Sequence, residues 1–311
     1  MRGGMTSIMD EYMDPPVNLT PVADESMATQ RQTLTDLYTE YYPDKVSEID
    51  TLVQEHGYAK LIEEANALVD FLRSCGASYN ATTSKISPQH ALRNKDITDV
   101  SPLASLTSLK HLDLHDNQIV DVSPLRTLTS LTRLSLNGNQ VVDVSSLVTL
   151  TSLTYLGLGY NQIVDVKPLA TLTSLTTLSL SDNQIADVSP LATLTSLTYL
   201  DLDTNQIVDV SPLATLTSLQ GLDLDGNQVV DIKPVATLTS LTILDLSENH
   251  IVDVSPLANL TSLTQLLLGS NQIVDVSPLA TLTSLTTLGL QYNQIVDKTS
   301  LSHLTAEIYW K

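Results

Sequence analysis

His111, Asp113 and His115 form the one constellation in this chain with the look of a reaction centre. They alternate, so on an extended strand all three side chains project from one face, and two imidazoles with a carboxylate are reasonable zinc ligands. Same-face neighbours on a strand lie about 6.6 Å apart, however, and nothing nearby identifies a supporting shell for the ligands. The expectation is a set of solvated side chains and no metal. Other catalytic signatures are missing from the sequence: no glycine-rich phosphate loop, no nucleophile elbow, and no histidine paired with Cys75, the only cysteine. No cofactor motif is present, and the chain reads as non-enzymatic.

A second constellation is acidic. Asp201, Asp203, Asp223, Asp225, Asp245 and Glu248 fall in three consecutive copies of an internal repeat. If those copies stack as neighbouring strands about 4.8 Å apart, their carboxylates repel by roughly 1 to 3 kcal/mol per pair. Such a patch is costly alone and suits docking of a basic protein surface or peptide. A flat sheet encloses calcium poorly. Tyr155, Tyr160 and Tyr199 stand beside the patch, with Arg133 before them and Tyr292 further along, and exposed tyrosines on a rigid sheet offer contact area at low entropic cost. The formal charge of −20, from 15 basic and 35 acidic residues, argues against nucleic acid as a partner.

The element that positions these side chains is a 22-residue repeat, marked by Asn117, Asn139, Asn161, Asn183, Asn205, Asn227, Asn249, Asn271 and Asn293 without insertion or deletion. Around each asparagine the chain reads L-x-x-L-x-L-x-x-N-x-I/V, as in Leu131, Leu134, Leu136, Asn139 and Val141. Alternation puts Leu134 and Leu136 on an inner face and Arg133 and Ser135 on a displayed face. The asparagines are expected to form a buried ladder that satisfies backbone groups at a sharp turn. Nine aspartates, Asp121 through Asp297, each follow an asparagine by four residues and are expected to cap the next turn.

The repeats differ almost solely at displayed positions, such as the column His111, Arg133, Tyr155, Thr177, Tyr199, Gly221, Ile243, Gln265 and Thr287. Drift without selection would scatter changes over the return stretches too, since exposed serines and threonines there tolerate substitution about equally well. That contrast identifies the displayed face as a binding surface.

Residues 90–311 resemble the leucine-rich repeat family, specifically the 22-residue class of bacterial internalins and of eukaryotic phosphatase-regulating and dynein-associated proteins; "NQIVDVSPLATLTSLT" is close to the internalin repeat. The resemblance implies a right-handed α/β solenoid. It would be a horseshoe with a parallel concave β-sheet, nine full repeats and a helical amino-terminal cap, binding other proteins on its concave side. At the far end, Trp310 falls 22 residues after Leu288, and Ile308, Tyr309 and Trp310 are expected to form a minimal cap.

The first 89 residues have no repeat. Residues 1–30 read as an extended or disordered tail, 31–76 as the helical cap and 77–89 as a linker. Helices are predicted over 31–41, from Pro43 to His56, and over Tyr58–Ser74, stopped by Gly57 and Gly76. "LTDLYTEYYPDKVSEIDTLVQEHGYAKLIEEANALVDFL" resembles a short helical segment common in proteins of protists such as kinetoplastids and oomycetes, which implies an intracellular assembly or cytoskeletal setting. No apolar run approaches the roughly 20 residues that span a membrane, and no secretion signal is evident, so the expected location is cytoplasmic or cytoskeletal. The leading reading is a protein-interaction adaptor. The alternatives are a structural subunit of a large cytoskeletal, ciliary or organellar complex anchored by its tail and helices, and a secreted internalin-like adhesin.

Overall fold

A computed structural model describes residues 27–41, 46, 49–80, 85–87 and 92–310. The chain divides into two compact units, Met1–Ala65 and Asn66–Lys311. The predicted tail lies outside the described residues as far as residue 26. Helix α1 spans Met27–Tyr41, four residues earlier than the prediction, and buries Leu34, Leu37 and Tyr38 at helical spacing. Helix α2 spans Ile49–His56; the turns predicted to start it at Pro43 lie outside the described residues, Val46 excepted. The Arg31 guanidinium donates two 3.1 Å bonds to Asp50, tying α1 to α2. Helix α3 spans Tyr58–Ser74 and buries Leu61, Ile62, Ala65, Leu68 and Leu72. It ends in a Schellman turn: Gly76 takes φ +67°, its N–H donates to Arg73 O (3.0 Å), and Ala77 N–H donates to Leu72 O (2.8 Å). Ser78–Asn80 (β1) and Lys85–Ser87 (β2) then pair antiparallel.

The second unit carries the repeats. Each contributes a three-residue strand, from His111–Asp113 (β3) to Thr287–Gly289 (β11), and a last strand, Glu307–Tyr309 (β12), completes a 10-stranded parallel sheet in sequential order. Sequential order means that every coil stacks only on its neighbours. One coil shows what fills the interior: Leu191, Leu194, Leu197, Leu200, Leu202, Ile207 and Val210 are all essentially inaccessible. The strand is short because the chain must leave the sheet after three residues to bring the next leucines inward. Among the described residues, no helix is long and apolar enough to cross a membrane.

Opposite the sheet the chain forms a 3-10 turn in each coil, such as Ser211–Thr215. Asp209 prepares it by accepting the Ser211 N–H at 2.8 Å, and the same bond recurs at Asp121, Asp143, Asp165, Asp187, Asp231, Asp253, Asp275 and Asp297. The threonine that ends the 3-10 turn and the one just before the strand are not free to vary. Thr193 Oγ1 donates to Ala170 O (2.8 Å) and Thr198 Oγ1 to Thr176 O (3.0 Å), each a bond to the preceding coil that repeats along the stack. The uniformity of those two columns therefore has a structural cause, and it does not by itself mark the displayed face as selected for binding.

Proline is the second residue of every five-residue 3-10 turn but one, Ser145–Thr149, where Ser146 stands and its buried hydroxyl has no hydrogen-bond partner. Ser146→Pro removes that hydroxyl and restricts the unfolded chain. It should raise the free energy of unfolding by about 1 kcal/mol in a urea titration, and a lowered midpoint would show that this coil is not interchangeable with the rest.

The last coil corrects the register expected of Trp310. Leu288 pairs with Ile308, not with Trp310. After Leu304 the chain returns to the sheet two residues early, omitting the inward leucine that the other coils carry, and Glu307 N–H donates to Thr286 O at 2.9 Å. Trp310 instead receives Lys298 over its ring, 4.3 Å from the centroid.

Candidate functional site

The displayed face is set by the turn that follows each strand. Asn205 shows how the turn is held: its Nδ2 donates to Leu180 O, Leu202 O and Asp203 O (3.0–3.1 Å) while Oδ1 accepts Ile185 N–H at 3.0 Å. One side chain thus satisfies groups in its own coil and in the one before, and the amides from Asn117 to Asn293 bond likewise. The residue before each asparagine is forced into the left-handed region, at φ 49–56° for Asp116, Tyr160, Asp182, Thr204, Glu248, Ser270 and Tyr292 and φ 63–66° for Gly138 and Gly226. Tyr160, Glu248 and Tyr292 therefore project from a strained turn and not from the strand. The two glycines and two aspartates of this column were the signal in the sequence for that geometry.

Three neighbouring strands, Tyr199–Asp201 (β7), Gly221–Asp223 (β8) and Ile243–Asp245 (β9), bring the acidic residues together. Asp201 stands opposite Asp223, and Asp223 opposite Asp245. Each carboxylate accepts the backbone N–H two residues ahead, from Asp203 (3.2 Å), Asp225 (3.0 Å) and Ser247 (2.9 Å) respectively. Ser179 Oγ donates to Asp201 Oδ2, and Thr204 Oγ1 to Asp203 Oδ1, both at 2.8 Å. Oδ1 of Asp225 is buried without a hydrogen-bond partner. Burial, aided by the charges of Asp245, Asp201 and Asp203, pushes the Asp223 carboxyl up to about 7. Asp225 is pushed up to about 6, again first by burial and then by Asp245, Asp203 and Glu248. Asp203 is raised for the same reasons, with Asp182 among the charges. Near neutral pH this face is poised between charge states.

The aromatic residues divide into separate places. The edge of the Tyr199 ring stands against Gly221, where a Cβ would lie 2.6 Å from Cδ2, so the glycine is what leaves room for the ring near Asp201 and Asp223. Tyr160 hydrogen-bonds Asp182, whose charge raises the phenol. Asp182, in the coil between Tyr160 and Thr204, is a site residue that the sequence reading does not single out. Arg133 sits 4.2 Å over the Tyr155 ring on the next strand, a second cluster toward the amino-terminal end of the sheet. Tyr292 stands apart in the last turn. In the histidine group, the Asp113 carboxylate is held by Arg93 and His115 Nε2 lies 3.0 Å from Asp116, while among the described residues no three His, Cys, Asp or Glu side chains are arranged to hold a metal.

The family model for Leucine Rich repeats (2 copies) matches residues 92–127, 129–171, 173–215, 217–259 and 261–305. An internalin from Listeria monocytogenes is 37% identical, over 73% of this chain and 76% of that one, with a TM-score of 0.60. A leucine-rich repeat protein from Leptospira interrogans is 30% identical over 68% of this chain and 57% of that one, at 0.64. The leucine-rich repeat ectodomain of a receptor kinase from Arabidopsis thaliana, solved in complex with Casparian strip integrity factor 2, is 25% identical over 68% of this chain and only 28% of that one, at 0.61. No curated protein matches the chain. The in-register asparagine ladder, the sequential parallel sheet and these matches lead to one conclusion: the chain belongs to the leucine-rich repeat family.

Proposed function

We propose that the protein is an interaction scaffold that binds a basic segment of a partner protein on its sheet face, across β7, β8 and β9. The observation that carries this reading is the column Asp201, Asp223 and Asp245 on adjacent strands, joined by Asp203, Asp225 and Glu248, with two of the carboxyls driven toward neutrality. A Lys or Arg side chain laid over them relieves the repulsion and supplies a donor to the unpaired Asp225 oxygen. Tyr199 and Tyr160 border the patch as contact area. The plant leucine-rich repeat ectodomain solved in complex with Casparian strip integrity factor 2 supports the use of this fold for binding a partner. The cytoplasmic or cytoskeletal setting and membership of a larger complex belong to the same proposal.

Affinity capture from the source organism, with the intact protein and with a variant carrying Asp223→Ser, Asp225→Ser and Asp245→Ser, tests it by mass spectrometry. The expected result is one dominant partner, recovered at least about tenfold less by the variant, and held more weakly at pH 5.5 than at pH 8 because the proton competes with the cation. An unchanged set of captured proteins would move the binding role away from this face.

A further inference from the structure

Eight valines form an exposed row that the interior does not use. Val120, Val142, Val164, Val208, Val230, Val252 and Val274 are 51–56% exposed and Val296 is 89% exposed, with Ala186 taking the one remaining place. Each lies two residues before a fully buried valine or isoleucine, except at the last coil, and points away from it. The coils are locked in register beside the row, for Gln140 N–H donates to Ile119 O and Gln206 N–H to Ile185 O, both at 2.9 Å. The valines therefore succeed one another about every 4.8 Å, in a line roughly 40 Å long. Local propensity does not require them. Threonine serves an extended exposed position equally well.

The apolar area in the row is roughly 600 Å², at the upper limit for patches on monomeric proteins. With its flanks it approaches the roughly 800 Å² that each partner contributes to a standard interface. The flanks differ. On one side run the exposed and uncharged Gln118, Gln140, Gln162 and their successors, with His250 in one place; on the other runs the unbroken row of exposed aspartates from Asp121 to Asp297. Bonds from the following Ser or Thr hold Asp121, Asp187, Asp209, Asp253, Asp275 and Asp297 below the usual carboxylate range, so that flank keeps its charge in mild acid.

We infer that this edge of the solenoid, distinct from the acidic sheet face, docks an amphipathic helix of a partner protein, with an apolar seam over the valines and Lys or Arg along the one side that meets the aspartates. Spacing favours a helix. Its pitch of about 5.4 Å lets seven turns, about 26 residues, cover the row with a drift of under one coil. Same-face residues of an extended chain repeat at about 6.6 Å and fall out of step after two coils. The aspartate row on each copy, with a net charge of −20, disfavours a second copy of this chain as the occupant.

The test uses a fluorescent 26-residue helical peptide with leucine along one face and lysine on one flank, and a control peptide with glutamate in place of lysine. Both are titrated by anisotropy into the full chain and into a variant carrying Val142→Ser, Val164→Ser, Val208→Ser, Val230→Ser and Val252→Ser, whose substitutions are all at exposed side chains. The expected result is saturable binding of the lysine peptide, at least tenfold weaker for the five-serine variant, at least tenfold weaker for the glutamate peptide, and unchanged when Asp223, Asp225 and Asp245 are serine. Equal binding to the five-serine variant overturns the proposal, as does loss of binding in the sheet-face variant alone. A dimer in sedimentation that the five serines convert to monomer also overturns it, and assigns the row to a second copy.

Discussion

Asn205→Ala is expected to lower the free energy of unfolding by about 4 kcal/mol, a loss at the far end of what single substitutions do. The side chain is almost wholly buried and makes four bonds at once, accepting from Ile185 N–H and donating to Leu180 O, Leu202 O and Asp203 O. Alanine removes all four and leaves the Ile185 amide in a place that water does not reach, at about 1 to 3 kcal/mol for that group alone, with the carbonyls adding more. Because the ladder joins each coil to the one before it, the damage is shared between two coils. The same change at Asn293, which is partly exposed in the last full coil, should cost distinctly less. Urea titrations of the two variants, with the exposed Thr195→Ala as a control expected within about 0.5 kcal/mol of the parent, decide the matter. Equal losses at Asn205 and Asn293 would mean that the ladder acts through something other than burial.

The second large effect is a stability that rises as the solution is made mildly acidic. The folded-state pKa of Asp223, about 7, and of Asp225, about 6, lie above the ordinary carboxylate value of 3.8. A group raised in this way binds protons more tightly when folded. Its contribution is complete below pH 3.8 and is lost as pH climbs through the folded value. Taken at face value the two shifts exceed 5 kcal/mol; with the screening that a partly solvated sheet provides, about 3 kcal/mol is the expected gain between pH 8 and pH 4.5. The aspartates beneath the 3-10 turns carry the opposite sign. Asp121, Asp187, Asp209, Asp253, Asp275 and Asp297 are lowered by bonds from Ser or Thr, so their contribution is present above 3.8 and fades as pH falls through their folded values. Stability should therefore peak near pH 4 to 5. In Asp223→Asn with Asp225→Asn, the neutral amides keep the acceptors without the charge, so the variant should gain stability at pH 8 and lose most of the slope above pH 5. A parent protein most stable at pH 8 would show that these carboxyls are better solvated than the sheet geometry indicates.

Much of the solenoid is legible before any coordinates. The 22-residue period places every strand from β3 to β11, because a repeat that buries leucines only against its neighbours has to stack in phase. It misplaces the last strand. Counting in steps of 22 shows Glu307 where a leucine is due and assigns Trp310 to the position of Leu288, whereas the chain takes Ile308 there, because a fixed period cannot register that the path from Leu304 to the strand is two residues shorter. The threonines of the Thr193 and Thr198 columns mislead for a related reason: a hydroxyl that bonds a carbonyl one coil away looks, in sequence, like any exposed hydroxyl.

The acidic candidates divide along the same line. That Asp201, Asp223 and Asp245 share a column follows from arithmetic on their numbers. That Asp223 and Asp225 sit deep enough to approach neutrality, that one Asp225 oxygen lacks a donor, and that the Tyr199 ring fits against Gly221 depend on neighbours 22 residues away in both directions. Periodicity specifies which residues face the same way, since it is a property of one chain direction. Desolvation, ring contacts and the exposure of the valine row arise between coils, where distance in space no longer follows distance in sequence.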